Sequence, residues 1–257
     1  MNDLQRTAEW FKARQGKVTA SMIYLLLQNR KEPMTEDELA EWKKNNPKSR
    51  ATTKEVPFSQ TTLTYLNGKV MEWAMAPGDF AEFCLENEGG SKATRWGTDC
   101  EPLARTAYEK ALRVRVEDAP FMPYSGAKKY AGGSPDGVIA GKDAIVEFKC
   151  PYALANHCVH LKYNTQQDLL TDNEQYFAQC QMNMMVFERW FGKPCEYCDF
   201  VSYDPRVKPS LQIKVLRVFP DTDYQARLAE RVLLAAKFIE NGYGELLQQQ
   251  TIIKKQL

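Results

Sequence analysis

The spacing of apolar and polar positions changes character at about residue 113. Before that point apolar residues recur at helical intervals. Asp3 can cap a helix over residues 3–13, with Gly16 beyond its end as a stop. Thr19-Ala20-Ser21 opens an apolar helix, Met22-Ile23-Tyr24-Leu25-Leu26-Leu27. Residues 30–58 are polar and carry Pro33, Pro47 and Pro57; they predict an excursion with one short helix, started by a capping box from Thr35 to Glu38. Ser59 caps a further helix over residues 60–76. Residues 91–112 predict another, interrupted or bent near Gly97 and Pro102.

From Arg113 the period falls to two. Arg113-Val114-Arg115-Val116-Glu117 alternates and is rich in β-branched residues, which predicts a strand. Two apolar runs, 130–140 and 144–149, flank Ala140-Gly141-Lys142-Asp143, a sequence suited to a hairpin turn. Helical spacing returns at 153–162 and 173–188. Strands are predicted over 196–203 and 211–219, then a long closing helix from Asp221 that Asn241-Gly242 stops. No internal repeat interrupts this order. The elements predict an α/β (α+β) fold, a central mixed β-sheet flanked by helices with an N-terminal helical region, in one domain over residues 1–257.

Composition narrows the function classes. With 44% apolar and 26% charged residues the chain is too apolar for general disorder, and no run approaches the roughly 18 apolar residues of a membrane span. The first ten residues lack an apolar core, so no secretory signal is expected. Seven cysteines, an odd number, fit reduced thiols in the cytoplasm, or in an intracellular host compartment if the protein is viral. A net charge of +1 excludes a protein that coats nucleic acid by bulk charge. The average conceals an acidic middle: residues 61–180 carry 12 basic and 16 acidic side chains, the flanks 22 and 17.

Candidate chemistry is concentrated in Ser134-Pro135-Asp136-Gly137 and, eleven residues after Asp136, Glu147-Phe148-Lys149. Residues two apart on a strand share a face, so Glu147 and Lys149 project together and Phe148 turns to the other side. The hairpin brings Asp136 back beside Glu147. Two converging carboxylates beside an ammonium are costly unless a cation lies between them, and hard oxygen ligands select Mg²⁺ or Mn²⁺. The main-chain carbonyl of Phe148 lies at the same place as a further ligand. Such an ion can polarise a phosphodiester, with Lys149 orienting water and neutralising developing charge. These residues alone are equally compatible with an inert hairpin bearing an exposed Glu–Lys pair.

Five motifs taken in order carry a family resemblance. They are Arg14-Gln-Gly-Lys-Val-Thr-Ala-Ser21, Gly97-Thr-Asp-Cys-Glu101, Gly133-Ser-Pro-Asp-Gly137, Val146-Glu-Phe-Lys-Cys-Pro151 and Tyr176-Phe-Ala-Gln-Cys-Gln181. Together they resemble the lambda-exonuclease branch of the PD-(D/E)xK nuclease superfamily, the YqaJ-like viral recombinases. The resemblance implies a restriction-endonuclease-like core and a Mg²⁺-dependent 5′–3′ exodeoxyribonuclease with two ions per site. Asp136 and Glu147 match the metal-binding acids, Lys149 the catalytic lysine and Glu101 the acid serving the second ion. Gln179 matches the glutamine that positions the attacking water or the phosphate. Arg14, Ser21 and Ser134 match the group that grips a 5′-phosphate, and a helix opening at Ser21 would supply free amides to it. Implied partners are double-stranded DNA ends, a single-strand annealing protein and further copies of the chain in a ring-shaped trimer, with no membrane. Residues 30–58 exceed the compact members and are positioned to alter substrate access or subunit contacts.

Other features receive plainer readings. Cys195-Glu-Tyr-Cys198 lacks a third nearby cysteine and predicts buried free thiols. His157 and His160 lie one turn apart without carboxylate neighbours, which predicts packing or surface roles. Trp10, Trp73, Trp96 and Trp190 have helical spacing that predicts core positions. Two rival functions remain open to the sequence: an endonuclease or RNA-degrading nuclease of the same superfamily, and a catalytically silent DNA-binding or assembly protein.

Overall fold

Two sheets and a long buried helix organise the chain, seen in a computed structural model that describes residues 6–87, 90–127 and 129–256, with side chains up to residue 250. The main sheet has five strands: β4 (Val116–Glu117), β7 (Gly137–Ile139), β8 (Ala144–Lys149), β9 (Tyr197–Tyr203) and β10 (Ile213–Val218). Their order is β10-β9-β8-β7-β4, with β8 and β9 parallel and every other neighbour antiparallel, so the sheet is mixed as expected. A second sheet joins β1 (Val18–Thr19), β5 (Met122–Pro123) and β6 (Ala131–Gly133) in the order β1-β6-β5.

Strand alternation distributes the core over both faces of the main sheet. Ala144, Val146 and Phe148 turn one way, onto Ala104 and Tyr108 of α5 (Lys92–Leu112). Ile145 turns the other way, with Cys198, Phe200, Leu216 and Val218, onto α8 (Glu174–Phe191) and α9 (Thr222–Gln256). Every residue of α8 from Phe177 to Phe187 is buried, so this helix is enclosed all round, and any polar side chain on it must find a partner inside the protein. The crossover that joins parallel β8 to β9 runs through α6 (Leu154–His160), α7 (Gln166–Asp172) and α8.

The remaining helical region precedes the main sheet. It holds α1 (Ala8–Arg14), a 3-10 helix (Ala20–Leu27), α3 (Gln60–Ala74) and α4 (Pro77–Glu86). The polar excursion contains α2 (Glu36–Asn45) with the predicted Thr35–Glu38 capping box, and two strands the apolar pattern did not reveal. These are β2 (Asn29–Pro33) and β3 (Thr53–Pro57), paired antiparallel and alternating only between exposed and half-buried positions.

Several predicted boundaries move for identifiable reasons. Thr7 caps α1 by accepting the Trp10 amide; Asp3 lies outside the described residues. The apolar segment after Thr19 winds as a 3-10 rather than an α-helix. Helix α5 is continuous through Gly97 and Pro102. The strand at 113–117 shrinks to Val116–Glu117 because Arg113 ends α5 in the left-handed region, at φ 55°. The apolar run 130–140 divides into β6 and β7, which belong to different sheets. Helices α4 and α7 were not foreseen. Helix α9 passes through Asn241-Gly242 to Gln256, because a Cβ on Gly242 would lie 3.1 Å from Val70 of α3: the glycine permits close helix packing instead of ending the helix.

Candidate active site

The β7–β8 hairpin does what its sequence predicts. Gly141 turns it at φ 71°, and the register pairs Gly137 with Val146, which leaves Asp136 opposite Glu147. The Asp136 amide donates to the Val146 carbonyl at 3.1 Å, and the Phe148 amide donates to Asp136 Oδ2 at 2.7 Å. Arg105 of α5 donates to the Asp136 carbonyl at 3.1 Å, fixing the strand from its other side. Phe148 packs edge-on against Tyr108, which leaves Glu147 and Lys149 together on the α8 face.

Helix α8 supplies the partners. Glu147 is 1% exposed, and its Oε1 accepts from Lys149 Nζ at 2.6 Å and from Gln179 Nε2 at 2.5 Å. Lys149 Nζ also donates to Gln179 Oε1 at 3.1 Å, closing a three-residue ring of hydrogen bonds. Asn183, one turn after Gln179, donates to Glu147 Oε2 at 3.0 Å. Sequence reading missed Asn183. Its only trace was four-residue spacing from Gln179 and the glycine at 133, where a Cβ would overlap Asn183 Oδ1. That Oδ1 is buried with no partner among the described residues.

Charge at this point is unbalanced. Burial, then the charges of Asp136 and Glu101, push the Glu147 carboxyl up to about 8 despite its donors. Burial likewise raises Asp136. Burial lowers Lys149, but Glu147 and Asp136 more than reverse this, so the lysine is held cationic. One ammonium therefore faces two carboxylates, with Glu101 nearby.

These groups line an open cavity of about 210 Å³ together with Trp10, Arg14, Ala20, Ser21, Ser134 and Phe148. All of the residues singled out from the sequence therefore meet in one place. Helix α1 brings Arg14, whose guanidinium lies 4.0 Å from the Trp10 ring centroid and 5.7 Å from that of Phe121. Beyond these ring contacts Arg14 has no hydrogen-bond or ion-pair partner among the described residues, and burial lowers it to about 10, which leaves it charged at neutral pH. Trp10 Nε1 donates to Ser134 Oγ at 3.1 Å, so this tryptophan belongs to the cavity wall rather than the core. Ser21 Oγ lies 3.2 Å from Thr19 Oγ1 at the start of the 3-10 helix, where Thr19 provides no side-chain cap.

The donor set suits a divalent ion. Asp136, Glu147 and the Phe148 carbonyl are hard oxygen donors; with both acids ionised their charge exceeds what Lys149 offsets, an excess that a proton kept on Glu147 relieves and that a divalent ion would neutralise. No group of three or more Asp, Glu, His or Cys gathers as a cage among the described residues, so the convergence is of two acids with Glu101 lining the same cavity.

The remaining sequence readings sort simply. His157 and His160 are buried, each with Nδ1 at 2.8 Å from Ser202 Oγ, in a packing role. Cys195 and Cys198 are buried free thiols, and all seven cysteines are free. Trp73 packs against the core and Trp190 is half exposed. Among the described residues no helix is long and apolar enough to cross a membrane.

Comparison with known proteins bears on the family and the fold. The YqaJ-like viral recombinase domain matches residues 9–189. An alkaline exonuclease (LHK-Exo) from Laribacter hongkongensis superposes with a TM-score of 0.65 at 23% identity, over 96% of this chain and 100% of that one. LHK-Exo in complex with dAMP gives 0.67 at 21% identity, with the same coverage. A phage related exonuclease from Haemophilus somnus 129PT gives 0.56 at 14% identity, over 91% and 96%. At these identities the likeness establishes a shared fold. No curated protein matches the sequence.

Proposed function

The chain belongs to the YqaJ-like viral recombinase family, and from that premise we propose that it is a metal-dependent exonuclease digesting one strand of linear duplex DNA from a 5′-phosphorylated end. It leaves 3′ single strands for a partner annealing protein. The observation that carries this reading is the single cavity in which an unpaired arginine, two serines, three acids, a lysine and a glutamine meet.

Arg14, Ser21 and Ser134 bind the terminal phosphate. Arg14 suits this role because its planar fork of donors is charged, half-buried and uncommitted. Trp10 fixes both partners, stacking on Arg14 and donating to Ser134. Lys149 and Gln179, joined to one another and to Glu147, orient the attacking water and offset charge growing on the scissile phosphate. Asn183 holds Glu147 from the far side. Mg²⁺, with Mn²⁺ able to substitute, would be held by Asp136, Glu147 and the Phe148 carbonyl, with Glu101 serving a second ion, and would polarise the phosphodiester.

Residues 1–257 act as one nuclease domain, and the arm of β2, α2 and β3 is its polar insertion. The test is digestion of end-labelled linear duplex, with and without 5′-phosphate, in Mg²⁺ or EDTA, beside closed-circular DNA and RNA. Release of 5′-terminal nucleotides only from the phosphorylated linear duplex with Mg²⁺ supports the proposal. Cutting of circles or RNA points to the rival nucleases, and no cutting at all points to a silent DNA-binding protein.

A further inference from the structure

Beside the cavity, outside its wall, lies a cluster that the proposed chemistry does not use. Arg206 sits with its guanidinium carbon 4.1 Å from the Trp96 ring centroid, and Tyr152 meets Trp96 edge-on at 6.4 Å and 72°. The arginine is held rigidly. Its Nε donates to Asp204 Oδ1 at 2.9 Å, and its Nη2 to Asp204 Oδ2 at 2.7 Å, to the Pro151 carbonyl at 3.1 Å and to the Tyr152 carbonyl at 3.0 Å. Its Nη1 has no partner among the described residues. Tyr152 is 49% exposed and its neighbour Leu154 is 51% exposed.

Both ends of this cluster are tied to the site. Tyr152 follows Lys149 by three residues, so its Cα lies within about 11 Å of that of Lys149. Trp96 precedes Glu101 by five residues on α5, a rise of about 7.5 Å. A strand stacked as in a duplex, rising about 3.4 Å per nucleotide, covers such distances in two to three steps, and an unpaired, extended strand in fewer.

We propose that Tyr152 and the Trp96–Arg206 stack form a platform for an unpaired nucleobase of the strand entering the cleavage site. The chemistry fits a base better than a bare phosphate. Nε and Nη2 of Arg206 are already committed to Asp204 and two carbonyls, which leaves a flat cationic face and the two N–H groups of Nη1 beside a half-exposed aromatic ring. Base faces stack on such surfaces whatever their sequence, which is what an enzyme moving along arbitrary DNA requires. A platform of this kind also holds the strand away from its complement next to the scissile phosphate. The inference rests on the nuclease reading above, because it takes DNA to be the substrate.

The test is a cycle between protein and DNA, read as equilibrium binding in EDTA. Duplexes carry a 5′-phosphate and a single abasic residue at one of the first four positions of the phosphorylated strand. Wild type, Tyr152→Ala and Tyr152→Phe are compared; the carbonyl that Arg206 uses is main chain and survives both substitutions. The expected result is one position at which the abasic residue weakens wild type by roughly fivefold or more, the low end of what one stacked base contributes. That penalty should vanish in Tyr152→Ala and persist in Tyr152→Phe. Weakened base pairing near the lesion affects all three proteins equally and cancels. Equal penalties in wild type and Tyr152→Ala, or none at any position, overturn the platform. Failure of the parent duplex to be hydrolysed in Mg²⁺ would instead overturn the nuclease reading, and the binding comparison would still decide the platform.

Discussion

Removing the metal should leave a protein whose stability falls as the solution turns from neutral to alkaline. The cause is Glu147, raised from an ordinary 4.5 to about 8 by burial, Asp136 and Glu101. Between those values the folded state keeps a proton that the unfolded state has released, so stability falls with rising pH at about 1.4 kcal/mol per unit. His160 opposes this at lower pH. Burial takes it from 6.5 to about 4, so over that range the unfolded state binds the extra proton and stability rises with pH. The His160 slope opposes that of Glu147 from about pH 5 to 6.5 and no longer does so above. From pH 6.5 to 8 the metal-free protein should lose about 2 kcal/mol, or about 4–8 °C of melting temperature for a chain of this length. Lys149 is raised from 10.5 and acts only above this window. Thermal melts in EDTA at half-unit pH steps measure the effect. Mn²⁺ should restore the loss increasingly as pH rises, because it binds the ionised carboxylates. Glu147→Gln should flatten the alkaline slope and remove the Mn²⁺ response. A wild-type melting temperature that holds or climbs from pH 6.5 to 8, or an equal slope in Glu147→Gln, would refute the reasoning.

Other outcomes follow from the same geometry. Asp136→Asn keeps an oxygen to accept the Phe148 amide and removes the charge; Mg²⁺-dependent hydrolysis should fall about a hundredfold or more, with the circular dichroism spectrum unchanged. Arg14→Ala should erase the preference for phosphorylated over hydroxyl 5′ ends, measured as the ratio of kcat/KM values on the two duplexes. Asn183→Leu deprives Glu147 Oε2 of its donor; turnover should drop roughly tenfold with little change in KM, the cost of one lost hydrogen bond to a buried carboxylate.

Much of the β7–β8 hairpin was legible because its signals are local. Period-two alternation over residues 144–149 and the Gly141 turn fix which side chains share a face, and covalent connection does the rest. The sequence pattern failed where the reason for a residue lies on another element. Gly242 resembles a helix stop until Val70 is seen against it. Trp10 has the spacing of a core residue, and only the fold places Ser134 at its indole N–H, 124 positions away. Asn183 is unremarkable in a row of buried methionines until Glu147 arrives from β8. Strands β2 and β3 escaped because neither has an apolar face to announce it; Arg30 of β2 donates to the Pro57 and Phe58 carbonyls at the end of β3, and Lys54 of β3 pairs with Glu38 of α2.

The division of residues 130–140 between two sheets has a mechanical consequence. Strand β6 ends at Gly133 in the small sheet, whose strand β1 lies between Arg14 and Ser21 in the chain, while β7 begins at Gly137 in the large one. Ser134 and Asp136 are therefore the two ends of one short tie-bar, with Cα atoms no more than about 7 Å apart. If one end holds the strand terminus and the other marks the cut, the bar is a gauge. Its length is set by peptide geometry rather than by any adjustable contact, and it is roughly the spacing of adjacent phosphates. An enzyme built around such a gauge measures every step from the end it has just made, and its product is one nucleotide whatever the sequence.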